Sequence, residues 1–88
     1  MVRRPLTPEQ IEAGGRLGTA LRQARGGRGL FEVALAAGIS PETLRKIETG
    51  RLPAPSFGIV VSLSDVLGVP LADLADAWRA VAAIRDAS

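Results

Sequence analysis

Residues 33–51 read VALAAGISPETLRKIETGR, and this stretch decides the fold. It divides into one helix, a three-residue turn and a second helix. Two helices that cross steeply through a short turn need a small residue at their closest approach, which is Ala34. The turn needs a residue tolerant of positive φ, which is Gly38. Val33, Ala37, Ile39, Leu44 and Ile47 form an apolar underside. Ser40 is a good N-cap and Pro41 suits the first helical position, so the second helix has a marked start. Gly50 is placed to end it.

The run AGIS-PETLRKIETGR, followed by Pro55-Ser56-Phe57, resembles the Xre/Cro-type helix-turn-helix DNA-binding proteins. These include phage repressors, small bacterial regulators and antitoxins. The resemblance covers roughly Leu17 to Leu74. It implies an all-α fold, a compact five-helix bundle of the lambda-repressor-like type. Here the first helix is extended at its N-terminus and the last helix is lengthened. The expected organisation is a flexible basic arm over 1–6 and one helix-turn-helix domain over 7–88. Its helix-turn-helix spans about 30–49 and its last helix about 71–85.

The chain has 88 residues, no cysteine and no histidine. One domain is expected, and one this small has a limited core. Disulfides, Cys/His metal sites and histidine acid–base chemistry are excluded. The carboxylates are spread rather than paired, so no catalytic residue, metal site or cofactor is expected. There is no long apolar run and no signal-peptide core, so a cytoplasmic protein without a membrane span is expected. The formal net charge is only +2, but it is unevenly distributed. Residues 1–51 carry nine basic and five acidic side chains, and residues 52–88 carry two and four. A basic front suits contact with a polyanion. Chance asymmetry in a small domain is the alternative.

Arg3 and Arg4 in the arm either follow phosphates or a minor groove, or have no role. The first helix starts at Thr7-Pro8-Glu9-Gln10, a capping box with proline at the first position, and runs to about Arg25. Ile11, Leu17, Ala20, Leu21 and Ala24 give it an apolar stripe. Gly14, Gly15 and Gly18 weaken it by up to ~1 kcal/mol each, so a bend near Gly14-Gly15 is expected. Gly26-Gly27-Arg28-Gly29 is a shortened link. Leu30 stands where family members commonly have a polar, DNA-contacting side chain. Phe31 is expected in the core, with partial exposure as the alternative.

The resemblance implies a set of site residues. Arg25 and Glu48 match an ion pair that fixes the first helix against the recognition helix. Pro41, Glu42 and Lys46 match base-facing positions, and Arg45 faces either a base or a phosphate. Lys46 suits guanine O6/N7 and Glu42 suits cytosine N4, although Glu42 also suits the helix dipole. Thr43 and Arg51 match phosphate positions. Apart from the resemblance, Arg22 and the N–H groups at the Ser56 cap of the fourth helix (57–67) suit phosphates, and either Arg28 or the backbone N–H groups of the glycine-rich link replace the polar contact missing at Leu30. On the last helix, Trp78, Val81 and Ile84 either form a dimer seam or fold back on the first helix.

The implied function is a sequence-specific double-stranded DNA-binding transcriptional regulator, a repressor-like homodimer. Two recognition helices related by a dyad read half-sites about one turn, ~34 Å, apart. The alternative is an antitoxin or adaptor of the same fold, bound to a toxin or to the transcription machinery.

Overall fold

The computed structural model describes residues 5–80. They form five helices: α1 (Pro8–Arg25), α2 (Leu30–Ala37), α3 (Pro41–Glu48), α4 (Phe57–Leu67) and α5 (Leu71–Arg79). No strand occurs among the described residues. The core is one cluster of Leu17, Leu21, Val33, Ala34, Leu44, Ile47, Leu63 and Leu74, drawn from all five helices. Each fully buried leucine or isoleucine in such a cluster contributes roughly 1.5–3 kcal/mol.

The helix starts follow from local chemistry. Thr7 accepts from the Gln10 N–H at 3.1 Å while the Gln10 side chain accepts from the Thr7 N–H at 2.8 Å. Ser40 accepts from the Thr43 N–H at 3.0 Å, and Ser56 from the Ile59 N–H at 3.3 Å. Each cap satisfies a backbone donor that the first helical turn leaves without a partner. The α2–α3 turn closes at Gly38, whose φ of 76° lies in the left-handed region. The following Ile39 N–H reaches back to the Ala34 carbonyl at 3.0 Å.

α1 is continuous through Gly14 and Gly15, so the expected bend does not occur. Its glycines serve close packing instead. A Cβ at Gly14 would run into Pro53 in the α3–α4 loop. A Cβ at Gly18 would lie 3.1 Å from the Glu48 carbonyl oxygen and closer still to that of Ile47. The helix is therefore laid directly on the C-terminal end of α3, and the propensity lost at these glycines is offset by that contact.

α5 closes at Arg79, with Ala80 in the left-handed region at φ 58°, short of the expected end near Arg85. Arg16 of α1 supplies a physical reason. Its Nε donates to the Ala77 carbonyl at 3.0 Å and its Nη2 to the Trp78 carbonyl at 2.6 Å. A guanidinium on the last carbonyls satisfies acceptors that a helix C-terminus leaves free and complements the negative end of its dipole. Positions 81–85 of the expected helix lie outside the described residues.

Phe31 is 68% exposed and does not enter the core. Val33 and Ala34 are the buried pair on α2. A side chain two positions before Val33 on a helix points away from the buried face.

Candidate nucleic-acid interface

Leu44 and Ile47 anchor α3 in the core with no exposed surface. That fixes which side of the helix meets solvent. Glu42, Arg45, Lys46 and Thr49 are exposed, whereas Pro41 and Thr43 are half-buried at the N-terminal end. The side chains of Glu42, Arg45 and Lys46 make no hydrogen bond or ion pair among the described residues. Two cations thus stand one turn past the start of an exposed helix, where a helix in the major groove meets bases and phosphates. The Thr43 hydroxyl accepts from Ser40 Oγ at 2.8 Å, which leaves its own proton to donate outward.

The back of α3 is held by Arg25. Its Nε donates to Glu48 Oε2 at 2.7 Å and its Nη2 to Oε1 at 2.9 Å, with side-chain exposures of 17% and 6%. The remaining nitrogen, Nη1, donates to the Arg28 carbonyl at 2.8 Å. The resemblance implied this pair, and the two side chains meet in the bidentate form that arginine and a carboxylate favour. The Glu48 hydrogen bond and charge hold the Arg25 pKa above its ordinary value, against a smaller opposing effect of burial. One guanidinium thereby joins α1, the link to α2 and the end of α3.

The flanking loop is pinned as well. Gly50 takes φ 80°, and the Leu52 N–H bonds to the Lys46 carbonyl at 3.0 Å. Pro53 rests on Gly14 of α1. This places the exposed Arg51 beside the end of α3 and delivers the chain to Ser56, which is exposed at the start of α4. The first N–H groups of α4 have no intrahelical partner, a setting suited to a phosphate oxygen. Arg22 is exposed one turn after Gly18, on the flank of α1 that abuts α3.

Arg28, expected to contact phosphate, is exposed and also has a structural contact, with donors left over for a phosphate. Its Nη1 donates to the Val66 carbonyl at 2.9 Å, in the last turn of α4. It caps α4 much as Arg16 caps α5. No sequence signal marks either arginine, because their acceptors are backbone carbonyls far along the chain. Trp78 is half-buried, packs against the core and lines a groove beside α5, and Val81 and Ile84 lie outside the described residues.

Among the described residues no group of three or more acidic, cysteine or histidine side chains is placed to hold a metal ion. Nor is any helix there long and apolar enough to cross a membrane.

A bundle whose second and third helices meet through a tight glycine turn, with the third backed by core and bearing free cations, defines a helix-turn-helix domain. The family model described as a helix-turn-helix domain matches residues 16–78, and the chain belongs to that family. α1 begins at Pro8, ahead of the matched segment. No curated protein matches the chain.

Proposed function

We propose that this chain is a sequence-specific double-stranded DNA-binding transcriptional regulator of the Xre/Cro type, repressor-like and bacterial. It works in the cytoplasm as a homodimer whose copies present α3 to half-sites about one turn, ~34 Å, apart. The observation that carries this is the outer face of α3. Arg45 and Lys46 stand exposed and without partners among the described residues, on a helix fixed from behind by Leu44, Ile47 and the Arg25–Glu48 pair. Lys46 donates to guanine O6/N7, Glu42 accepts from cytosine N4, and Arg45 and Pro41 complete the base-facing surface. Thr43, Arg51, Arg22 and the capped start of α4 at Ser56 hold the phosphates.

A second reading is a protein-interaction module of the same fold, an antitoxin or an adaptor to the transcription machinery. Exposed Phe31 and Leu35, four residues apart on one face of α2, and exposed Phe57 at the start of α4 favour it, because large apolar side chains left in water suit contact with a protein partner. Selection of bound fragments from a random duplex library, at ~150 mM salt, separates the two. The DNA reading expects an enriched sequence that Lys46→Ala no longer enriches. Salt-sensitive binding without any enriched sequence would leave only a basic surface, and no binding would favour the second reading.

A further inference from the structure

We propose that Glu42 sets the DNA preference of α3 by exclusion: its carboxylate admits a base edge that offers an amino hydrogen and penalises one that offers an acceptor in the same place. This role rests on the DNA-binding reading above and goes beyond it. Glu42 lowers affinity for the wrong duplex as well as touching the right one.

α3 carries two acidic and two basic side chains. Glu48 is 6% exposed and neutralised by Arg25. Glu42 is exposed, with Arg45 and Lys46 three and four residues later, the spacings at which opposite charges pair on a helix. No such pair forms, and all three side chains stay open to solvent. The helix start does not depend on Glu42 either. Ser40 accepts from the Thr43 N–H at 3.0 Å, and Pro41 at the first position has no N–H to satisfy. Through residues 41–56, Glu42 is thus the one carboxylate left free, on a surface otherwise furnished with Arg45, Lys46 and Arg51.

A free acid on a face that meets a polyanion weakens binding to the phosphates around it. The base edge decides whether anything offsets this. An ionised carboxylate is acceptor-only. In the major groove it can take a hydrogen from cytosine N4 or adenine N6, whereas guanine presents O6 and N7, and thymine O4 and a methyl group. The adenine amino group lies beside N7, an acceptor that suits an amide better than a carboxylate, so cytosine is preferred. Against guanine or thymine the carboxylate loses water and gains no hydrogen bond, and acceptor faces acceptor. Discrimination of this kind is built from repulsion of the wrong partner. Lys46, one turn on along the same face, is donor-only and has the opposite preference, for guanine O6/N7.

Selection from the random duplex library at ~150 mM salt, with the parent, Glu42→Ala and Glu42→Gln, locates the base pair that Glu42 faces. It is the position whose preference changes between chains. Circular dichroism melts check that each variant folds. Affinities are then measured for the selected duplex and for one in which that single C·G pair is reversed to G·C. The parent should separate the two by roughly 5–150-fold, the range for one well-read base. Glu42→Ala should bind the reversed duplex about tenfold more tightly than the parent does, as removal of a repulsive contact allows. It should bind the selected duplex no more tightly. Glu42→Gln, whose amide both donates and accepts, should replace cytosine by adenine in the selection. If Glu42→Ala binds the reversed duplex as the parent does, Glu42 is a plain contact and exclusion is overturned. An equal rise on both duplexes is loss of a charge alone and overturns it too. Unchanged preferences with only a lowered Tm leave the helix dipole as the role of Glu42, again against the proposal. A parent that enriches no sequence removes the DNA reading and this role with it, whereas an enriched sequence that Glu42→Ala leaves unaltered sinks this role alone.

Discussion

Gly18→Ala sets two effects of opposite sign against each other in one helix. Alanine is favoured over glycine inside a helix by about 1 kcal/mol. Against this, the new Cβ would lie 3.1 Å from the Glu48 carbonyl oxygen and closer to that of Ile47. Both are backbone atoms at the end of α3, so no side chain can swing aside. Forcing a methyl group into packed structure costs about 1–3 kcal/mol and sometimes more, and an immovable neighbour places this site at the upper end. The net expectation is a loss of about 1–2 kcal/mol. For a domain of this size that lowers Tm by roughly 4–16 °C. Gly15→Ala is the internal control, because a Cβ there meets nothing within 4 Å. It keeps the propensity gain without the clash and should be more stable by about 0.5–1 kcal/mol. Thermal and urea melts followed by the fluorescence of Trp78, the chain's one tryptophan, read both variants. A Gly18→Ala chain as stable as Gly15→Ala would refute the close approach of α1 to α3.

Removing Arg25 leaves Glu48, 6% exposed, without its partner. Arg25→Ala should cost about 2–4 kcal/mol in urea unfolding, below the full value for a wholly buried pair because Arg25 keeps some exposure. Arg25→Lys should recover only part of this, since an ammonium lacks the two-pronged geometry. Ser40→Ala removes the cap of α3 and should lower stability by about 1 kcal/mol, read by the same melts. Arg51→Ala should reduce the slope of log affinity against log salt by about one while leaving the preferred DNA sequence unchanged.

Much of this fold is written locally. Thr7, Ser40 and Ser56 each cap a helix through contacts three residues away, so their roles are visible in the sequence. Gly38 sits at the left-handed turn between α2 and α3, where the spacing of apolar residues demands one. The outward face of α3 follows from burying Leu44 and Ile47. α2 is less legible. Its eight residues, LFEVALAA, are apolar on nearly every side, and no periodicity distinguishes the buried Val33-Ala34 pair from the exposed Phe31 and Leu35. The glycines of α1 look like helix weakeners until α3 and Pro53 are seen against them. Arg16 and Arg28 act on carbonyls 61 and 38 residues away, a relation only the tertiary fold creates. The early stop of α5 is equally hidden, because alanine gives no hint of a left-handed conformation at position 80.

The proposed function requires α3 to read bases rather than merely lie against a polyanion. The most direct measurement is the affinity of the parent, Lys46→Ala and Arg51→Ala for one selected duplex and its scrambled counterpart, at one fixed salt concentration. Lys46→Ala should shrink the ratio between the two duplexes by roughly 5–150-fold, the worth of a good side-chain-to-base contact of ~1–3 kcal/mol. Arg51→Ala should weaken binding to both duplexes alike and preserve the ratio. A Lys46→Ala chain that keeps the parent's ratio would contradict the assignment of α3 as the reading helix.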